Sequence, residues 1–348
     1  MRRLRISVAA AAALAVLALA PGVYLAPQAQ TLTTGLFDRY LDALRQEHGI
    51  PGLSAAIVQN GSVVWSRGFG SADVASSTAA RPDTPYPVAD LTQTIGATLL
   101  LRHCVDFGSA ELTDRVVRWS PFAEPSATLQ QVLEHVRDNG YQYDPARFGA
   151  LAPAVSECAK QPYTRLVAQL LDQLAMTRSV PGREAVQQPD AALFSASTLD
   201  RYDRVLQQMA TPYRVGSTRV ASRSDVPSNP ISASTGLIST VEDLAKFDIA
   251  LNGPSLLSPE SRDAAWELAQ SRPTGLGWFV QANNGEKIVW HFGVATDAYS
   301  SLIIKLPARG LTFIALANSD GLGSRLSTAQ PNVTQSLFAR LFLQFFGA

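Results

Sequence analysis

Pro87-Val88-Ala89-Asp90-Leu91-Thr92-Gln93-Thr94-Ile95-Gly96-Ala97-Thr98-Leu99-Leu100-Leu101 is the stretch whose reading decides the fold. From Ile95 to Leu101 nearly every residue is apolar or small, the pattern of a helix enclosed by protein on all sides. Its start is polar. Asp90 is a good N-cap, because its carboxylate can accept from the free N–H groups of the first turn. Gln93, three residues on, completes a capping box. The stretch predicts a buried helix running from Asp90 to Val105.

Working outward, Thr33 or Thr34 caps an earlier helix with Leu36, Tyr40, Leu41 and Leu44 on one face and Gly49 at its end. Leu53–Gln59 and Ser62–Phe69 read as strands joined by Asn60-Gly61, a strong hairpin signal. Beyond the central helix the pattern stays helical. Ser126-Ala127-Thr128 can cap one segment, Phe148–Ala159 and Tyr163–Leu174 follow, and Thr240 caps another. Strand patterns return at Leu276–Gln281, Lys287–Phe292, Ala298–Lys305 and Leu311–Ala317, ahead of a last helix at Val333–Phe346. Strands at both ends around a long helical middle predict an α+β fold: a mainly antiparallel sheet with flanking helices and an inserted helical domain.

Composition narrows the function. The 348 residues are 46% hydrophobic and carry formal net charge zero. A sizeable core is expected, and no basic surface offers itself to nucleic acid. Met1-Arg2-Arg3-Leu4-Arg5 followed by the apolar run Ile6–Ala20 has the layout of a secretory signal. Residues 1–30 read as a signal peptide or an uncleaved N-terminal membrane anchor, which is the chain's only expected membrane contact. Either way the remainder, 31–348, is exported, to the periplasm or the outer face of the inner membrane. Cys104 and Cys158 read as a disulfide or as two buried thiols. The four histidines are far apart in sequence, no cluster has metal-ligand spacing, and no cofactor is implied.

Several segments together resemble the serine β-lactamase-related family, which includes class C β-lactamases, penicillin-binding carboxypeptidases and related esterases. They are Ile50-Pro51-Gly52-Leu53-Ser54-Ala55-Ala56-Ile57-Val58, Gly68-Phe69-Gly70-Ser71-Ala72-Asp73-Val74, Arg81-Pro82-Asp83-Thr84-Pro85-Tyr86, Gly236-Leu237-Ile238-Ser239-Thr240-Val241-Glu242-Asp243-Leu244, Gly275-Leu276-Gly277-Trp278 and His291-Phe292-Gly293. The likeness runs from about residue 32 to the end and implies a sheet subdomain of 31–85 and 271–348 around a helical insert at 86–270. The family's chemistry rests on Ser-x-x-Lys at the start of the buried helix, Tyr-x-Asn in the helical region, and Lys- or His-x-Gly on a strand beside the nucleophile. Backbone N–H groups of the nucleophile and of that strand form the oxyanion hole.

This chain departs from the first motif at both essential positions. Asp90 stands where the serine belongs and Gln93 where the lysine belongs. No Ser-x-x-Lys exists elsewhere, since Glu157, Asp243, Asn284 and Leu302 precede the four lysines by three residues. Tyr143-Asp144-Pro145 keeps the tyrosine and puts Pro145 in place of asparagine. His291-Phe292-Gly293 keeps the third motif. A carboxylate attacking a carbonyl would give a mixed anhydride with no lysine to assist, so Asp90 is read as a cap. A glutamine amide cannot exchange a proton at neutral pH. Tyr143, His291 (as a group that could recognise a ligand carboxylate) and Gly293 are the ligand-cleft candidates beside Asp90, each with a packing role as its alternative. His135 is assigned to the structure. The resemblance with these losses implies a non-catalytic protein of the cell envelope. It would bind a peptide, a peptidoglycan fragment or a protein partner in a degenerate cleft. The alternatives are a hydrolase of esters, amides or β-lactams using Asp90 or Tyr143 as base, and a purely structural role.

Overall fold

The computed structural model describes residues 27–347, apart from 122, 139, 191, 228 and 269–271. The expected signal or anchor lies almost wholly outside them. Among the described residues no helix is long and apolar enough to cross a membrane.

The centre is a seven-stranded antiparallel sheet. Its strands are β1 (Gly52–Gln59), β2 (Ser62–Asp73), β3 (Thr78–Ala79), β4 (Phe279–Asn283), β5 (Glu286–Ala295), β6 (Tyr299–Leu306) and β7 (Leu311–Ala317), in the order β4-β5-β6-β7-β1-β2-β3. The chain's two ends thus meet at the β7–β1 pair, with Leu53 opposite Ala317 and Gln59 opposite Leu311. This is the α+β plan with a mainly antiparallel sheet. Side chains alternate between two cores, as the period of a strand requires. Ala55, Ile57, Phe313 and Ala315 face one core, and Ala56, Val58, Ile314 and Leu316 face the other.

Four helices fix the site: α1 (Pro27–Glu47), α2 (Thr92–Leu100), α3 (Val241–Asn252) and α4 (Leu337–Phe346). On one side α1 and α4 close the sheet through Phe37, Leu41, Phe338 and Phe342. On the other lie α2 and α3, among Leu91, Ile95, Leu99, Leu244 and Phe247. Helix α3 starts where Thr240 accepts from Asp243 N at 3.0 Å. It is pinned to the sheet by Asp248, which pairs with Lys305 of β6 and accepts from Thr312 of β7 at 3.1 Å. A segment within 86–270 therefore packs on the sheet itself. That region also carries three short two-stranded ribbons, so it is not purely helical.

Element boundaries differ from the sequence reading where packing overrides local signals. Helix α1 runs through Thr34 without a cap there. Phe148–Ala159 is broken into Pro145–Gly149 and Ala152–Ala159, the second with Pro153 in its first turn. A π-helical turn, Leu101–Asp106, continues α2. It carries Cys104, disulfide-bonded to Cys158 with a Cα–Cα distance of 5.2 Å.

Candidate functional site

The capping box at the start of α2 does not form. A 3-10 turn, Ala89–Leu91, precedes the helix, and neither start has a side-chain cap. The strand beside it packs tightly on the turn. Gly293 of β5 approaches so closely that a Cβ there would lie 2.7 Å from Asp90 N and 2.8 Å from Leu91 N. Within the turn Leu91 N donates to Val88 O at 3.2 Å, and the Asp90 carboxyl meets Tyr143. Ala89 adopts φ 48°, a left-handed conformation unfavourable for any residue with a Cβ. Its neighbours hold it there: Ser301 donates to Val88 O at 2.7 Å and Thr92 to Ala89 O at 2.7 Å. A strained turn is thus maintained for the residue at position 90.

Asp90 meets Tyr143, and the partners beyond Tyr143 run in one direction. The backbone N–H of Asp144 donates to His135 Nδ1 at 3.1 Å, so that nitrogen is unprotonated and Nε2 carries the hydrogen. His135 Nε2 then donates to Gln93 Oε1 at 2.9 Å, and Gln93 Nε2 donates to the Tyr143 hydroxyl at 3.0 Å. The Tyr143 hydroxyl in turn hydrogen-bonds to the Asp90 carboxylate. Each amide atom of Gln93, itself fully buried, is used.

Electrostatics follow from burial. Desolvation raises Asp90 to about 6, against the opposing hydrogen bond from Tyr143. Burial, then the Asp90 charge, push the Tyr143 hydroxyl well above 10, so the phenol stays protonated. Burial lowers His135 to about 3, which keeps it neutral. The ring of His135 lies 4.4 Å from that of Tyr143 and stacks on Phe148 at 5.3 Å.

His135 thus belongs to the site, although the sequence reading gave it to the structure. A short two-stranded ribbon, Val136–Arg137 with Gly140–Tyr141, reverses the chain after it and brings the ring to Tyr143. His291 departs in the opposite sense. It is 2% exposed, its ring lies 5.1 Å from that of Phe279, and it donates from Nδ1 to Phe292 O at 2.9 Å. Burial holds it near 3. The imidazole is neutral and turned inward. Gly293 is buried against the turn, leaving Val294 and Ala295 as the residues at the C-terminal end of β5 that reach solvent. Pro145 opens the Pro145–Gly149 helix and supplies no polar side-chain atom, while Asp144 caps it by accepting from Arg147 N at 2.9 Å.

The register between β4 and β5 ends with Phe279 opposite Trp290. From His291 onward that edge of β5 has no strand partner among the described residues. Neighbouring hydroxyls are committed to backbone carbonyls, as with Ser301 and Thr92, and Thr94 donates to Leu91 O at 2.9 Å. No metal-binding cluster occurs among the described residues. What remains accessible at the turn is a half-buried acid and phenol beside a free strand edge.

Comparison with known proteins matches residues 37–336 to the family model described as Beta-lactamase. Protein flp of Staphylococcus aureus strain N315 is 23% identical over 335 residues, covering 81% of this chain and 62% of the relative. The chain thus spans about three-fifths of the length of that relative. Among solved structures, the octameric penicillin-binding protein homologue from Pyrococcus abyssi superposes with TM-score 0.71 at 20% identity, covering 89% of this chain and 77% of that one. D-alanine carboxypeptidase AmpC from Burkholderia cenocepacia gives TM-score 0.68 at 16% identity, covering 91% and 99%.

Proposed function

Since the chain belongs to the beta-lactamase family, we propose that it is a non-acylating member that binds a peptide-like ligand in the family's cleft. The observation that carries this reading is the state of Gln93. Its amide stands one helical turn after the nucleophile position and is held at both ends by His135 and Tyr143. A proton passing between Tyr143 and a group at position 90 would need an exchangeable neighbour, and an amide is not one at neutral pH. Asp90 has no hydroxyl to acylate. The strained turn at Ala89 and the close approach of Gly293 meanwhile persist, as expected if the cleft still has an occupant.

The unpaired edge of β5 at Val294 and Ala295 suits the backbone of an extended peptide. A peptidoglycan stem peptide or a segment of a protein partner offers such a backbone. The similar structure from Burkholderia cenocepacia is that of a D-alanine carboxypeptidase, which makes a D-alanyl peptide the natural first probe. An exported, oxidising location fits the Cys104–Cys158 disulfide and the N-terminal basic and apolar run.

A second reading rests on Asp90 at about 6, within the range of a general base. It would activate water towards a bound ester or amide. Incubation with fluorescent penicillin and p-nitrophenyl esters separates the two. The proposal expects no covalent mass increment and no turnover above buffer. Turnover that rises through pH 6 and vanishes in Asp90→Ala would establish the hydrolase instead.

A further inference from the structure

Away from the turn, an open cavity of about 730 Å³ lies between Arg118 and Trp119 on one side and the Ala152–Ala159 helix on the other. None of its lining residues belongs to the Asp90 turn or to β5. The volume is in the range of small-molecule sites. Pro153, Ser156, Glu157 and Lys160 line it at the i, i+3, i+4, i+7 spacing of one helix face. Both walls are fixed. The helix carries Cys158, bonded to Cys104. Opposite it, Val116 N donates to Ala127 O at 2.9 Å, Trp119 N donates to Val116 O at 3.0 Å, and the Trp119 side chain packs against the core.

The charges of this lining are answered within the protein. Lys160 pairs with Glu157, and Arg118 lies 3.4 Å from Asp114 with its guanidinium carbon 5.0 Å from the centre of the Trp119 ring. What is left over is neutral. The indole N–H of Trp119 and the hydroxyl of Ser156 have no hydrogen-bond partner among the described residues. Gln161 accepts from Gln169 Nε2 at 2.8 Å through Oε1, which leaves its own amide N–H groups to donate. All three residues are half-buried. An anion or a cation finds no uncompensated charge here. A peptide backbone finds no ladder to join, because the N–H and C=O groups of the helix wall are bonded within the helix. Neutral donors beside the apolar surfaces of Trp119 and Pro153 match a sugar ring, whose hydroxyls take the donors while its C–H face lies on the indole and proline.

We propose that this cavity is a sugar-binding site, with Trp119 as its apolar wall and first donor, and Ser156 and Gln161 as its further hydrogen-bonding groups. The apolar lining also suits the methyl of an acetamido group, so the ligand class is a neutral, N-acetylated sugar. The site shares no residue with the cleft at Asp90 and stands or falls independently of the reading of that cleft.

Chitotriose is the probe, titrated into the full chain by calorimetry and by ligand-observed NMR, with sodium sulfate titrated separately at constant ionic strength. Wild type, W119A, W119F and Q161A are compared, each first checked for an unchanged unfolding transition. Saturable binding of chitotriose is expected in wild type. W119A should weaken it by about tenfold, and W119F, which keeps an aromatic ring and loses the N–H, by less. Q161A should weaken it without moving the unfolding transition. Should W119A unfold, W119F and Q161A carry the test, since both keep the packing of the core. Chitotriose that fails to saturate, or that binds W119F and Q161A as tightly as wild type, overturns the proposal. Sulfate binding without chitotriose binding also overturns it, because Arg118 and Lys160 would then be available to an anion.

Discussion

The amide nitrogen of Gln93 stands 3.0 Å from the hydroxyl of Tyr143, at the position that the proposed function aligns with the family's lysine. An ammonium there would favour the phenolate. The amide donates a hydrogen bond and changes no charge, while the neighbouring Asp90 carboxylate disfavours a phenolate further. The local field at the site is thus reversed relative to what acyl transfer needs.

That reversal predicts a pH-dependent stability. Burial raises Asp90 in the folded chain from 3.8 to about 6. A raised carboxyl contributes stability that is complete below about pH 4 and is lost as pH rises through about 6. Asp90→Asn removes the titration and keeps the shape. It should stabilise the protein by about 1–2 kcal/mol at pH 8, after discounting for partial exposure, and by little at pH 4. Thermal melts of both proteins across this range check it. Equal melting shifts at the two ends would show that the carboxyl is solvated in the fold.

Gly293 tests whether the close packing of strand on turn is built in. A Cβ at 293 meets backbone atoms of Val88, Asp90 and Leu91, none of which can rotate away. Gly293→Ala should destabilise by about 1–3 kcal/mol through overpacking. Ala298→Gly, at a buried site outside the turn, controls for a general backbone effect. A fully tolerated alanine at 293 would mean that β5 stands further from the turn.

Most of the scaffold was legible from alternation and punctuation. The Asn60-Gly61 hairpin, the Thr240 cap and the returning strands are local signals, and the sheet order follows once both chain ends supply strands. What the sequence concealed at position 90 was direction. Asp90 and Gln93 have the spacing of a capping box, yet tertiary contacts from Gly293 and Tyr143 draw both away from it. His135 was hidden for the same reason: only the fold brings it to Gln93, 42 residues earlier.

The Lys305–Asp248 pair joins α3 to β6 with both side chains essentially buried. Thr312 supplies a further hydrogen bond to Asp248, and the Trp266 ring lies 5.0 Å from the ammonium. Removing one partner strands a buried charge, so Lys305→Met should cost about 3–5 kcal/mol in denaturant unfolding. Lys305→Met with Asp248→Leu should recover most of that loss, since a matched apolar pair has no charge to desolvate. A double variant as unstable as the single would show that Thr312 and the surrounding backbone depend on the carboxylate.

The Cys104–Cys158 bridge closes a loop of 54 residues between the π-helical turn and the Ala152–Ala159 helix. Chain-entropy reasoning gives about 4 kcal/mol for a loop of that length. Unfolding under reducing conditions should occur at clearly lower denaturant than under oxidising ones, and Cys104→Ala with Cys158→Ala should reproduce the reduced midpoint. Matching midpoints in all three samples would mean that the thiols are unpaired in solution.

If the proposed function holds, supplying a serine at 90 and a lysine at 93 asks how much of the site is poised for acyl transfer. Asp90→Ser supplies a hydroxyl on a turn already strained at Ala89, and Gln93→Lys places an ammonium beside Tyr143. Either change alone leaves the pair incomplete. Serine without lysine has no nearby base, and lysine without serine has nothing to activate. The two should therefore be strongly non-additive. The single variants are expected to remain unlabelled by fluorescent penicillin, whereas the double variant should acquire slow, covalent labelling at a single site. Its rate should rise with pH as the lysine loses its proton. The labelled residue can be located by peptide mass mapping. Labelling at position 90 means that the oxyanion geometry beside Gly293 survives. An unlabelled but folded double variant would place the loss in the cleft itself, because nucleophile and base would then both be present and still unable to reach a carbonyl.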